Sequence, residues 1–593
     1  MSFPDLGSFI NDLESSGQLV RISEEVDPRL EITVIQHRVL AQNGPALLFE
    51  NVKGCETRLV TNLFGTRERV DRVFGRHPSE VGELLASIAE DIIPPSMGRI
   101  WRARNKIFRL LNARLKNVSS GPVMEELHEP PDLDKLPCLT CWPLDGGPFF
   151  TLPLVHTCHP ETGVGNMGIY RLQRFDATST GMHWQIEKGG GFHFKKACER
   201  GEPLPISVIL GGPPALTLAA IAPLPEGIDE RILAALIMGQ PLEVIARRTT
   251  GHKIPARAEF VIEGTVSPGD CRREGPFGDH LGHYSHSADF PVFRAHRLLC
   301  RRNAIFPATV VGKPPQEDFH IGCALQEMSA PILKLIHPGV NDLWAYPETG
   351  FHPLAVASVN ERYPHEALKQ AFAILGQGQL SLTKVLIVVN GDVGNVRDFR
   401  QVSRSLWQNL DAADGIHLIA PTAQDTLDFT GPAMNTGSRL ILIATHREKP
   451  LRMEPPLPPP KASDVHPSIR GLTGIGEAFL VAQVNDSGDR DTVIAALKNH
   501  KATATWMFHV LVSEDVPLDD PMMMLWGWFT RFDPLVDIHP ADRIQDGNRL
   551  IFRFPICIDA RWKSGYRQPV AFDPATVAAV DAKWKSLGIK GCN

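Results

Sequence analysis

Apolar positions recur with helical period at the start of the chain. Phe3, Leu6, Phe9, Ile10 and Leu13 fall on one face, and Gly17 is placed to end the helix they predict. Leu19 to Ile22 then reads as a strand, residues 28–41 as a second helix, and Pro45 to Val52 as a buried strand before Gly54. This alternation predicts an N-terminal α/β domain, placed at residues 1–120. Residues 92–120 are rich in Arg, Lys and Asn, and 129–148 are crowded with Pro and Gly, which marks a crossing between domains. From 121 to 325 the periodicity is mainly that of strands, at Phe150 to Thr157, Gly165 to Gln173, Ile206 to Gly211, Ala258 to Thr265 and Ala304 to Val311. A helical patch at Ile232 to Met238 interrupts them. A β-barrel or sandwich is the expected architecture of that part.

The α/β pattern returns after residue 326, with Val385 to Val389 as a continuous apolar strand of the kind a covered sheet buries. A diverged second copy follows it. Phe508 to Val512 repeats the strand, Asp515-Val516 echoes Asp392-Val393, and helices carrying Trp407 and Trp526 follow in turn. Two related C-terminal lobes are therefore expected, at 326–453 and 476–593, joined by a linker at 454–475 whose Pro-rich run 455–460 is a semi-rigid spacer. Val577 to Leu587 predicts a terminal helix that docks on another lobe or another protomer. The apolar run Met522 to Trp526 predicts a contact between protomers. The fold class that emerges is multidomain α+β.

Composition narrows the function classes. With 593 residues, 43% hydrophobic and 22% charged, the chain is an ordinary soluble multidomain protein. Its net charge of −6 offers no basic surface for nucleic acid. Without a signal-peptide pattern or a run of ~18–20 apolar residues, a cytoplasmic location is expected. Ten scattered cysteines fit a reducing compartment, and the CxxC pair Cys138 and Cys141 has no second pair to complete a zinc site.

The stretch Glu274-Gly275-Pro276-Phe277-Gly278-Asp279 sets two carboxylates on a backbone restricted by proline and turned by glycines. A positioned acid/base pair has this form, and so does an acidic surface turn. Asn166-Met167-Gly168-Ile169-Tyr170-Arg171 reads as a strand with Asn166, Gly168 and Tyr170 on one face and Ile169 and Arg171 on the other. Arg171 in that setting needs a carboxylate or phosphate partner. Met182-His183-Trp184-Gln185 follows, then Lys188-Gly189-Gly190-Gly191, a run suited either to close phosphate approach or to a flexible loop.

NMGIYR at 166–171, MHWQ at 182–185, PLEV at 241–244 and EGPFGD at 274–279 resemble, in order and spacing, the UbiD-type decarboxylases that use prenylated FMN. The resemblance implies a split β-barrel of flavin-reductase type for the central domain. It also implies a divalent ion, Mn²⁺ or Mg²⁺, on Asn166, His183 and Glu243, with K⁺ nearby. Arg171, Glu274 and Asp279 match the family's catalytic acid–arginine–acid network, with Asp at the last position. Ile169, Tyr170, Arg171, Trp184, Gln185, Lys188 and Gly189 match positions lining the flavin. Lys384 lies just before a strand and is a candidate to reach the same cleft, or simply a solvated lysine. A flavin prenyltransferase is the implied cofactor supplier, an aromatic carboxylate the implied substrate, and a homo-oligomer, dimer or hexamer, the expected assembly. The stretches at 140–147, 172–175 and 181–185 are most similar to the naphthoate branch of menaquinone biosynthesis, with hydroxybenzoate or polyprenyl-hydroxybenzoate as the alternative substrate. Membrane contact is expected only through a quinone-precursor substrate. Two other classes stay open: a cofactor-free hydrolase using the two acids, and a non-catalytic subunit on the same fold.

Overall fold

The first helix runs Leu6–Ser15, capped by Asp5 accepting from the Ser8 N–H, and buries Leu6, Phe9, Ile10 and Leu13. Gly17 follows at φ +71°. The computed structural model describes residues 2–94, 96–225, 227–445, 450–485 and 487–589. They form two compact units, Met1–Pro331 with Arg567–Asn593, and Ile332–Tyr566.

In the first unit a four-stranded sheet has the order Leu19–Ile22, Ala46–Phe49, Arg58–Thr61, Ile305–Pro307. The last strand, expected among the central strands, instead pairs in parallel with Arg58–Thr61. All three of its residues are buried, and a fully apolar run carries no mark of which sheet it joins. The central sheet has nine strands and curls into a half-barrel. Its long hairpin, Phe260–Glu274 with Ala288–Cys300, is flanked on one side by Leu204–Leu210, Leu154–Cys158 and Gly165–Ile169. On the other side lie Ser179–Gly181, Leu172–Asp176 and Phe149–Phe150. The single strand expected over 165–173 is two, Gly165–Ile169 and Leu172–Asp176, which pair with different neighbours. Tyr170 and Arg171 fall at the corner between them.

The chain returns to this unit at its end. Gln568 accepts from the Tyr284 N–H at 3.0 Å, and the Val570 N–H donates to Gly282 at 3.0 Å. The helix Pro574–Lys583 docks on Glu31–Ala41 through buried Val580 and an Arg38–Asp581 ion pair of 2.6 Å. The terminal helix therefore docks within its own unit.

The second unit contains two five-stranded sheets with one topology. The first has the order Val340–Ala345, Leu354–Val359, Val385–Asn390, Thr436–Ala444, Ile416–Ala423. The second has Ile469–Ile475, Phe479–Val484, Phe508–Val512, Arg549–Ala560, Ile538–Asp546. In each the outer pairs are antiparallel and the inner pairs parallel. Met524, Leu525, Trp526 and Trp528, expected at a contact between protomers, are buried inside this unit. Trp528 meets Phe479 and Phe399 at ring distances of 4.9 and 5.8 Å, so the apolar run joins the two lobes instead. No helix among the described residues is long and apolar enough to cross a membrane.

Candidate active site

The hairpin strand Phe260–Glu274 ends on a buried carboxylate, and the loop after it delivers a second. That loop is held from three directions. Asp145 accepts from the Gly278 N–H at 2.7 Å, while its other oxygen takes the N–H groups of Cys141 and Trp142 at 2.9 and 2.8 Å. Gln173 accepts from the Gly275 N–H at 2.7 Å, and the Ser285 N–H donates to Phe277 at 2.8 Å. The two glycines serve different ends. Gly275 adopts φ +88°, which other residues resist. Gly278 is required for closeness, since a Cβ there would lie 2.1 Å from the Trp142 ring. Cys138 and Cys141 are buried, and burial pushes both thiols up, so the CxxC pair serves the turn that presents Asp145.

Arg171, at the corner of the two strands, joins the acids. Its Nε donates to Glu274 at 3.3 Å, Nη1 pairs with Asp279, and Nη2 donates to Ser285 at 3.2 Å. Its guanidinium carbon also lies 5.1 Å from the centre of the Phe277 ring. His183 Nδ1 sits 3.0 Å from Arg171 Nη2 and 3.1 Å from Glu274 Oε1. Unprotonated, that nitrogen accepts from Arg171; protonated, it donates to Glu274, so the imidazole tautomer is linked to the acid's charge. All four residues are buried, with Glu274 at 0% exposure. Burial raises the Glu274 carboxyl, but the His183 hydrogen bond and the Arg171 charge outweigh it and hold the group below the usual range. Its Oε2 has no hydrogen-bond partner among the described residues and faces Gly181, where a Cβ would approach to 2.3 Å.

Next to this network lies a glycine-lined cradle. Asn166 and Ile169 stand on Gly165–Ile169, followed by Tyr170, while His183, Trp184, Gln185 and Lys188 lead into the helix Gly189–Arg200. Tyr170 and Trp184 meet edge to face at 5.0 Å, and the Tyr170 hydroxyl accepts from the Gly190 N–H at 3.0 Å. A Cβ on Gly189 would lie 2.1 Å from the Asn166 amide oxygen, and one on Gly190 would lie 2.5 Å from Trp184. The buried Trp184 indole N–H has no partner among the described residues. A helix N-terminus, a lysine cap and an unpartnered N–H together suit a phosphate.

Two expected members of the site have other partners. Glu243, on Leu242–Ala246, pairs with Lys116 at 3.1 Å and Arg257 at 3.2 Å. It lines a separate cavity of about 390 Å³ with Pro4, Gln240 and Pro255, so it does not join Asn166 and His183. The acid beside Asn166 is Glu230, whose carboxylate accepts from the Met167 N–H at 2.7 Å. Burial pushes Glu230 up to about 7, the mark of a carboxylate lacking a compensating cation. In sequence Glu230 is an unremarked acid in the first turn of a helix, where acids are common for dipole reasons. Lys384 belongs to the second unit, buried at 2% exposure and ion-paired with Asp428 at 2.8 Å. It is not a solvated lysine, and its charge is matched within its own unit.

Comparison with known proteins agrees with this geometry. Three domain families match in order: the 3-octaprenyl-4-hydroxybenzoate carboxy-lyase N-terminal domain at 10–88, its Rift-related domain at 115–314 and its C-terminal domain at 319–444. A relative from Chlamydia pneumoniae that bears the name of a 4-hydroxybenzoate decarboxylase is 40% identical over 588 residues, covering 98% of each chain. Vanillic acid decarboxylase of Sedimentibacter hydroxybenzoicus, in closed form, superposes with TM-score 0.67 at 25% identity, over 78% of this chain and 97% of its own. An evolved dimeric form of the UbiD-class enzyme HmfF from Pelotomaculum thermopropionicum, in complex with prFMN, gives TM-score 0.62 at 26% identity, over 77% and 97%. With three domain matches, a near full-length relative and a shared fold, the chain belongs to the UbiD family and is a carboxy-lyase.

Proposed function

We propose that this chain removes CO₂ from an aromatic carboxylic acid with the help of prenylated FMN. The observation that carries the proposal is the buried guanidinium of Arg171 bridging Glu274 and Asp279 beside the glycine-lined cradle. Prenylated FMN supplies the electron sink for the negative charge left when CO₂ departs, which no side chain offers. Lys188, the N-terminus of helix Gly189–Arg200 and the Trp184 N–H hold its phosphate. Asn166, His183 and Glu230 hold a divalent ion, Mn²⁺ by the hardness of two oxygen donors and one imidazole. K⁺ is a candidate second ion, and a flavin prenyltransferase is the proposed cofactor supplier.

The chain's own groups divide the remaining work. Arg171 fixes the spacing of the two acids and keeps them anionic until a proton arrives. Asp279, at the loop end next to solvent-facing His280, carries the proton to the carbon that loses CO₂. Glu274, through His183, sets the charge of the cluster around it. Burial of all four side chains excludes water and strengthens these interactions.

For the substrate, the motif resemblance favours a naphthoate-type acid of menaquinone biosynthesis. The Chlamydia pneumoniae relative's name favours 4-hydroxybenzoate as a second reading. The test is co-expression with a flavin prenyltransferase, then measurement of bound flavin, bound metal and CO₂ release from both acids. Turnover of a naphthoate but not a benzoate supports the first substrate, and the reverse supports the second. A flavin-loaded protein releasing no CO₂ from any aryl acid overturns the enzymatic proposal. A homo-oligomer, dimer or hexamer, is the proposed assembly, to be read from light scattering.

A further inference from the structure

The short strand Glu126–His128 pairs antiparallel with the end of Ala288–Cys300, setting Glu126 opposite Cys300 and His128 opposite Leu298. Side chains alternate along a strand, so Glu126 and His128 share a face, and Cys300 joins them across the pair. Cys300 Sγ lies 3.7 Å from Glu126 Oε2 and 3.7 Å from His128 Nε2, and those two atoms are 3.8 Å apart. The triangle is too wide for a hydrogen bond between nitrogen and oxygen. It matches the edges of a coordination tetrahedron: bonds of about 2.3 Å to sulfur and about 2.0–2.1 Å to nitrogen and oxygen set ligand atoms about 3.4–3.6 Å apart.

We propose that Glu126, His128 and Cys300 form a second metal site, taking Zn²⁺ and leaving a fourth position open to solvent. One thiolate, one imidazole and one carboxylate select zinc over Mg²⁺ or Mn²⁺, which prefer oxygen. Cys300 is anchored at 6% exposure on the long hairpin strand. The His128 and Glu126 side chains are 51% and 45% exposed, which gives the ion an entry path. Sulfur–metal bond formation releases the thiol proton to solvent, with no change of oxidation state. The bound ion fastens the three-residue Glu126–His128 strand to the hairpin, a pairing that backbone hydrogen bonds alone hold weakly.

Cobalt titration of the purified full-length protein tests this, because a thiolate bound to Co²⁺ gives a ligand-to-metal charge-transfer band that an Asn, His and Glu site lacks. The expected result is one equivalent of Co²⁺ with that band, displaced by Zn²⁺. His128→Ala, at an exposed position, weakens it at least tenfold, and Cys300→Ser removes it while other bound Co²⁺ remains. No thiolate band in the wild-type protein, or a band unchanged by His128→Ala, overturns the proposal. Should Cys300→Ser fail to fold, by circular dichroism, the His128→Ala titration decides alone.

Discussion

Glu274 and Glu243 are both carboxylates held between basic partners, and they share residue chemistry while differing in surroundings. Glu274 is fully buried between Arg171 and His183, with one oxygen unpartnered among the described residues. Glu243 is 30% exposed, between Lys116 and Arg257 at 57% and 41% exposure. Lys116 and Arg257 pull the Glu243 carboxyl below its ordinary range through hydrogen bonds, at a position where water and salt do much of the same work. Charge in the buried cluster has no such substitute. The difference teaches that a carboxylate's partners name its chemistry less well than its burial does.

The comparison can be broken by substitution, from the largest expected effect downward. Asp279→Asn removes the proposed proton carrier while preserving shape. Turnover of aryl acid is expected to fall about 10³-fold, roughly 4 kcal/mol, with flavin still bound. Glu230→Gln is expected to weaken metal and flavin retention about 10- to 100-fold, read from absorbance and metal content after gel filtration. If Glu243→Gln does this instead, the assignment of Glu230 is wrong. Gly278→Ala drives a methyl into Trp142 and is expected to cost about 1–3 kcal/mol in denaturant unfolding.

A pH experiment separates the clusters further. Glu274 is lowered in the folded protein from an ordinary 4.5, so its stabilisation is complete above that value and lost only as pH falls through the lower folded one. Glu274→Gln should therefore flatten the acid limb of the stability curve. Glu243→Gln is expected to change stability by less than about 0.5 kcal/mol, an effect that vanishes at high salt.

The two C-terminal lobes show the same contrast at the scale of a domain. Lys384 and Met507 each precede the central strand of their sheet, and both are buried. In the first lobe the buried position carries a charge matched by Asp428; in the second it carries an apolar side chain. The solved relatives span 77–78% of this chain while being 97% covered themselves, and the family C-terminal domain ends at 444. The second lobe is thus an addition that kept the sheet and lost the ion pair.

The repeat was legible because apolar strands and their spacing survive divergence. The EGPFGD carboxylates were legible because Gly and Pro limit the backbone locally. Glu230 was not, since an acid in a first helical turn carries no mark of what lies across from it. The PLEV motif drew attention to Glu243 by resemblance, yet its strand presents that acid to Lys116 and Arg257.

The sequence by itself determined the periodic elements, the repeated lobes and the acid-bearing turn, because each depends on neighbours within a few residues. Only the tertiary structure decided that Arg171 stands at a strand corner between two acids, that Glu230 replaces Glu243, and that Ile305–Pro307 completes the first sheet. Those outcomes depend on desolvation and on contacts between residues far apart in the chain, which local pattern does not encode.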